Sequence, residues 1–323
     1  MSRNYVERLD PELAEPIRKS LGQSGMDLSN PSEARILSDR MSAAMVNQRT
    51  EFKGVISKDR KIPGIPGAPE LDIRIYEAEK RVGLTPVLLW IHGGGYVVGD
   101  MELDDLLCRQ LALKGECVVT QVNYRLAPEY PYPVPLEDCY VTLKWLVTRA
   151  DELHLDRSRI CVGGASAGGG LAAGLALLAR DRGEIKLAWQ LLLYPMMDDR
   201  NTELPSETLP ETLIWTRNNN HYGWRAYLGH EPGSKDVEPY AAAARADNLE
   251  GLPPAFIGTG DLDLFAEESL EYAKKLVVAG VPTEVHMYPG APHAFDGIVA
   301  PQADISQKFR NDILWAFSRI CNG

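Results

Sequence analysis

The residues best suited to chemistry lie in the middle of the chain, where a serine stands between glycines. The stretch from Gly164 to Gly168 reads GASAG, which fits the spacing G-x-S-x-G. An apolar run from Ile160 precedes it and a run rich in leucine and alanine from Leu171 follows it. This order predicts a strand, a tight turn and a helix, with Ser166 at the apex as a nucleophile. A glycine-rich turn that binds a phosphate is the alternative.

A second glycine-rich turn, at residues 92–95, reads HGGG directly after an apolar run. Three glycines leave backbone N–H groups unhindered, and these can converge on an oxygen beside Ser166. Acyl transfer needs such donors because the carbonyl oxygen becomes negative in the tetrahedral intermediate. We expect the N–H groups of Gly93, Gly94 and Ala167 to form this oxyanion hole. The chain has neither G-x-G-x-x-G nor GK[ST], which disfavours a phosphate loop.

A serine nucleophile also needs a histidine base and a carboxylate that orients the histidine. Of the six histidines, His293 follows the last predicted strand and lies C-terminal to the serine and to the candidate acids, as this motif requires. Two aspartates, Asp261 and Asp263, follow the predicted strand 255–260, and either can instead cap the next helix. The local sequence leaves the acid open between them.

Composition excludes some classes of partner. The formal net charge of −11 over 323 residues disfavours nucleic acid or an anionic membrane as the main partner. No apolar run is long enough to span a membrane, and the N-terminus lacks the apolar region of a signal peptide. The five cysteines show no C-x-x-C pair and no metal-ligand spacing, which favours free thiols in the cytoplasm.

Alternation of strand and helix patterns predicts an α/β fold with a mostly parallel sheet covered by helices on both faces. The predicted strands are 71–76, 86–92, 117–124, the strand before Ser166, 187–194, 255–260 and 284–288. Residues 1–50 have an amphipathic helical pattern, and residues 196–240 form a polar insertion with no strand period. Its aromatic residues suit either an apolar lid or core packing; they are Trp215, Tyr222, Trp224 and Tyr227.

Four motifs in this order resemble those of the hormone-sensitive-lipase group of bacterial esterases, which has the α/β-hydrolase fold. They are HGGG at 92–95, YRLAPE at 124–129, the elbow at 164–169, and His293-Ala294-Phe295 in place of His-Gly-Phe. The resemblance runs from about residue 70 to the C-terminus. It favours Asp263 over Asp261, because Asp263-Leu264-Phe265 falls where the group has Asp-Pro-Leu. The chain departs from the group at Ala165, which replaces an acidic residue, and at Leu264, which replaces proline.

The same resemblance implies the domain organisation and the substrate class. Residues 1–50 would be the N-terminal part of a helical cap, and residues 51–323 the catalytic core, with a cap insertion at about 197–230. The group hydrolyses small esters with short- to medium-chain acyl groups, needs no cofactor or metal, and often forms homodimers.

Other functions fit the same residues. A lactonase, a deacetylase or an amidase would use the same triad, and the fold does not separate them. A plant hormone receptor that shares this fold and family has lost the catalytic histidine, so a ligand-binding role is a further alternative. Retention of Ser166, Asp263 and His293 favours an enzyme, because a pure binder has no use for all three.

Overall fold

A sheet of eight strands forms the centre of the structure, a computed structural model that describes residues 5–20, 26–48, 52–201 and 215–322. The strands are β1 (Val55–Ile62), β2 (Leu71–Ala78), β3 (Thr85–Ile91), β4 (Val118–Val122), β5 (Leu155–Ala165), β6 (Trp189–Leu193), β7 (Ala255–Gly260) and β8 (Thr283–Tyr288). Their order across the sheet is β1-β2-β4-β3-β5-β6-β7-β8. Only the β1–β2 and β2–β4 pairs are antiparallel. The predicted mostly parallel sheet is confirmed.

The register of the parallel strands brings the motifs together. Ile91 at the end of β3 lies opposite Gly164 of β5, and Ala165 lies opposite Leu193 at the end of β6. The carboxyl ends of three neighbouring strands therefore meet at one edge, where ligands bind in sheets of this type. All seven residues of β3 are buried, which explains its unbroken apolar sequence.

Helices cover both faces of the sheet. They are α1 (Tyr5–Arg8), α2 (Pro11–Ser20), α3 (Pro31–Gln48), α4 (Asp105–Lys114), α5 (Val134–Thr148), α6 (Ala167–Arg182), α7 (Arg217–Leu228), α8 (Ala266–Val278) and α9 (Asp304–Asn322). One apolar cluster includes side chains of α5, α6 and α8, and the other includes side chains of α2, α4 and α9. Burial of each large side chain stabilises the fold by roughly 1.5–3 kcal/mol. Within the described ranges, no helix has the length and apolar character needed to cross a membrane.

The sequence did not predict strand β1. Most of its side chains are exposed and polar, so it has no apolar period to detect. It forms by antiparallel pairing with β2, where Asp59 lies opposite Arg74. Arg74 Nε donates to Asp59 Oδ1 at 2.6 Å, and Lys61 Nζ donates to Asp72 Oδ1 at the same distance. These cross-strand ion pairs add to the backbone pairing along the exposed middle of β1, while Val55 and Ile62 at its two ends are buried.

The segment between α2 and α3 contacts α7. The Asn219 side chain of α7 accepts a hydrogen bond from Leu28 N–H at 3.1 Å and donates to the Met26 carbonyl at 2.8 Å. These contacts join the two segments predicted to form a cap. The predicted insertion at 197–230 includes residues 202–214, which lie outside the described residues. The division into cap and core stays a prediction.

Candidate active site

Ser166 occupies a strained turn between β5 and α6. Its φ of +56° and ψ of −122° are unusual for a residue with a side chain, and such strain marks functional sites. A Cβ at Gly168 would collide with the backbone carbonyl of Ile91, so only glycine fits there. The Ser166 N–H donates to the Leu193 carbonyl at 2.9 Å, which fixes the turn to β6. The predicted strand, turn and helix are therefore present.

Three side chains form a hydrogen-bonded chain at this turn. His293 Nδ1 lies 2.8 Å from Asp263 Oδ2, and His293 Nε2 lies 3.0 Å from Ser166 Oγ. Because a carboxylate accepts, Nδ1 carries the proton and Nε2 accepts the Ser166 hydroxyl. All three residues are at least nine-tenths buried. The second oxygen of Asp263 accepts the Phe265 N–H at 2.9 Å, which holds the carboxylate in place.

Asp261 lies elsewhere and has a different set of contacts. Its Oδ1 accepts the N–H of Gly290 at 2.6 Å, and its Oδ2 pairs with Arg8 of α1 at 3.2 Å. Asp261 therefore ties α1 to the loop that leads to His293, while Asp263 contacts the imidazole itself. The structure brings Asp263, the residue favoured by the family resemblance, to the histidine.

The HGGG turn lies against Ser166. A Cβ at Gly93 would be 3.3 Å from Ser166 Cβ, so the two backbones are in near contact. The Gly94 carbonyl accepts the N–H groups of Val97 and Val98 at 3.1 and 3.0 Å, which closes the turn. Ala167 is the first residue of α6, where N–H groups lack intrahelical partners and the helix dipole favours negative charge. Gly93 and Ala167 thus lie directly beside Ser166, and Gly94 is next to Gly93 in the same turn. The role of these three N–H groups as oxyanion donors stays a prediction.

His92 supports the glycine turn rather than acting as the base. Its ring is fully buried and stacks on Tyr124, with centroids 4.4 Å apart. His92 Nδ1 donates to the Gly93 carbonyl at 2.8 Å, and the Tyr124 hydroxyl donates to the His92 carbonyl at 3.1 Å. Burial lowers the pKa of His92, which keeps the imidazole neutral. Tyr124 begins the YRLAPE segment, so this motif supports the first one through direct contact.

Aromatic rings enclose the imidazole of His293. Tyr194 and Phe265 meet it edge to face, with centroids at 4.9 and 5.0 Å, and Trp215 lies at 6.2 Å. Trp215 also packs where a side chain at Gly95 would stand, so this glycine makes room for the indole. By contrast, Trp224 and Tyr227 are fully buried in the core, and Tyr222 packs against it. Of the four aromatic residues predicted as lid or core, only Trp215 contacts the triad.

A second buried carboxylate lies near the histidine. Asp296 follows His293 by three residues and accepts the Tyr194 hydroxyl at 3.0 Å. Burial raises the pKa of Asp296, and the hydrogen bond from Tyr194 opposes that rise. Sequence reasoning missed this residue because its partner lies 102 positions away. Among the described residues, no three His, Cys, Asp or Glu side chains are placed to hold a metal ion.

Comparison with known proteins identifies the family. The profile of a family described as having the alpha/beta hydrolase fold matches residues 88–297, which include the elbow and all three triad positions. The chain belongs to this family. Its motifs, first matched to the hormone-sensitive-lipase group, are thereby confirmed as those of an α/β hydrolase.

Relatives of this α/β hydrolase are named as esterases. Esterase LipI of Mycobacterium tuberculosis is 37% identical over 214 residues, 66% of either protein. Carboxylesterase NlhH of the same organism is 36% identical over 249 residues, 73% of this chain and 75% of NlhH. A solved structure of a bacterial heroin esterase is 39% identical to this chain and superposes on it with a TM-score of 0.92. The superposition covers 98% of this chain and 99% of the heroin esterase chain.

Proposed function

We propose that this protein is a carboxylic ester hydrolase that works through an acyl-enzyme on Ser166. The observation that carries the proposal is the hydrogen-bonded chain from Ser166 Oγ to His293 Nε2 and from His293 Nδ1 to Asp263. A phosphate-binding turn would have no use for this histidine. The names of the relatives, esterase and carboxylesterase, support the same activity.

Acylation follows from this geometry. Ser166 Oγ attacks the ester carbonyl carbon while His293 Nε2 takes the hydroxyl proton. Asp263 stabilises the imidazolium that forms and keeps the ring in the correct tautomer. The N–H groups of Gly93, Gly94 and Ala167 hold the oxyanion, and each such donor is worth roughly 2.7–4 kcal/mol of barrier.

Collapse of the intermediate breaks the ester C–O bond and leaves the acyl group on Ser166. His293 returns its proton to the departing alcohol. Water then attacks the acyl-enzyme, again with His293 as base, and the carboxylic acid is released. The proton balance closes over one turnover, because the histidine donates each proton that it accepts.

A panel of p-nitrophenyl esters from acetyl to dodecanoyl tests the activity and the substrate class together. We expect kcat/KM to be highest for a short to medium acyl chain, because Trp215 closes space beside His293. The measurement is the initial rate of p-nitrophenol release for each ester at equal enzyme concentration. A folded protein that cleaves no ester of any length would contradict the proposal and favour a lactone, an amide or a non-catalytic ligand.

We further infer a homodimer formed through strand β8. This strand is an edge of the sheet, and its alternate side chains Val285 and Met287 are 37% and 38% exposed. The neighbouring helix α8 adds exposed apolar side chains, which are Leu270, Val277 and Val278. An open edge with apolar side chains is a template for pairing, and a two-fold axis lets one strand pair with its copy.

The dimer has a direct test in solution. Light scattering after size exclusion should give twice the chain mass for the parent and the single-chain mass for Val285→Lys/Met287→Lys, because lysine on an edge strand opposes pairing. A parent that elutes as a monomer at micromolar concentration would contradict the inference.

The compartment we propose is the cytoplasm, since all five cysteines are buried free thiols.

A further inference from the structure

A buried carboxylate on α8 holds the backbone that follows β6. Glu268 is 5% exposed. It accepts the N–H groups of Met197 and Asp198 at 2.6 and 3.3 Å and the side-chain amide of Asn201 at 2.6 Å. Burial raises the pKa of Glu268 well above its ordinary value. A carboxylate in such surroundings is costly unless donors surround it, so these contacts are a strong constraint on the segment.

The polar contacts continue from Asn201 in two directions. The side-chain amide of Asn201 also donates to the Leu264 backbone carbonyl at 2.9 Å. The backbone carbonyl of Asn201 accepts the side-chain amide of Asn220, also at 2.9 Å. Asn220, in α7, in turn accepts the indole N–H of Trp215 at 3.3 Å. Asn201 and Asn220 are 3% and 0% exposed. A buried chain of hydrogen bonds therefore runs from Glu268 to Trp215.

Both ends of this chain reach the site. At one end the Trp215 indole lies 6.2 Å from His293 and packs on Gly95 of the glycine turn. At the other end the Leu264 carbonyl belongs to the residue directly after Asp263. Neither Asn201 nor Glu268 contacts the triad itself, so their effect on it must pass through these two neighbours.

We propose that Glu268 is a positioning residue that sets, through Asn201 and Asn220, the place of the Trp215 indole over His293 and the place of the loop that carries Asp263. This inference rests on the proposed esterase function. Its physical basis is that each link is buried and hydrogen-bonded, so a change at Glu268 displaces the next member instead of being absorbed by water.

The chain of hydrogen bonds has two arms, one through Asn220 to Trp215 and one from Asn201 to the Leu264 carbonyl beside Asp263. Two substitutions separate their effects. Asn220→Ala breaks only the arm to Trp215, so we expect KM for p-nitrophenyl butanoate to rise about 5- to 10-fold, with kcat within about 2-fold of the parent. Glu268→Gln places an amide donor against donor groups and disturbs both arms. We expect it to raise KM as Asn220→Ala does and to lower kcat about 10- to 100-fold, since a small misplacement of catalytic groups has effects of this size.

The double variant tests whether the residues act as one unit. If they do, Asn220→Ala adds no further increase in KM to Glu268→Gln, whereas independent damage would multiply. Glu271→Gln, an exposed position on the same helix, is the matched control and should keep the parent constants. An unchanged KM in both single variants, or multiplied effects in the double variant, would overturn the proposal.

A readout without catalysis separates this proposal from the esterase function. The protein is labelled with 5-fluorotryptophan, and the ¹⁹F resonance of Trp215 is assigned by its loss in Trp215→Phe. We expect this resonance to shift in Asn220→Ala and in Glu268→Gln, and to stay in place in Glu271→Gln. If the parent cleaves no ester but the Trp215 resonance still shifts in these two variants, the esterase function is contradicted and the network is supported. An unmoved resonance would overturn the network even in an active enzyme.

Discussion

Replacing Ser166 with alanine should lower kcat for every ester that the parent cleaves by at least about 10⁴-fold. The substitution removes the oxygen that attacks the carbonyl, while His293 and the oxyanion donors remain. A factor of 10⁴ corresponds to about 5.4 kcal/mol of lost transition-state stabilisation. The measurement is steady-state hydrolysis of the best p-nitrophenyl ester from the panel, at enzyme concentrations high enough to detect the residual rate.

The variant should stay folded. Alanine keeps the Cβ of Ser166, so it adds no strain to the φ of +56° that serine already adopts. Ser158→Ala is the matched control, because it makes the same change in β5, the strand that leads to Ser166, at the end away from the site. It should keep the parent kcat. Residual activity above about 1% in a folded Ser166→Ala protein would contradict the assignment of the nucleophile.

Local patterns were sufficient for the parts of the site that depend on short stretches of chain. The elbow needs small residues within two positions of Ser166, and the glycine turn needs three glycines in a row. Each turn can therefore be recognised from a short local motif. Parallel pairing then brings both turns to the same edge of the sheet. The sequence therefore predicted which two turns meet.

Other features depend on partners that are distant in sequence. Arg35 of α3 pairs with Glu129 at 2.6 Å and donates to the carbonyls of Val97 and Ala127, about 60 to 90 positions away. Nothing in the residues around Arg35 indicates these contacts. Glu268 is a similar case, because its position in the first turn of a helix is typical of an ordinary exposed acidic residue. Packing, rather than local preference, decided both.

Asp263→Asn should lower kcat by about 10⁴-fold and leave KM close to the parent value. The asparagine oxygen can still accept the Phe265 N–H, so the loop keeps its shape. Its amide, however, donates to His293 Nδ1, which forces the ring proton onto Nε2. A protonated Nε2 cannot accept the Ser166 hydroxyl, so the nucleophile loses its base while the substrate pocket stays intact.

Asp261→Asn is the matched control for that variant, and it decides between the two acids that the sequence left open. Asparagine at this position still accepts the Gly290 N–H and loses only the partly exposed pair with Arg8. Such a pair stabilises a fold by about 0–1 kcal/mol, so melting temperature and kcat should stay near the parent values. The opposite pattern, with activity lost at Asp261 and kept at Asp263, would show that the loop rearranges in the working enzyme. Equal losses of kcat in Asp261→Asn and Asp263→Asn would mean that both carboxylates are needed to position His293. Asp261 would then act through its contact with Gly290, and Asp263 through its contact with the ring.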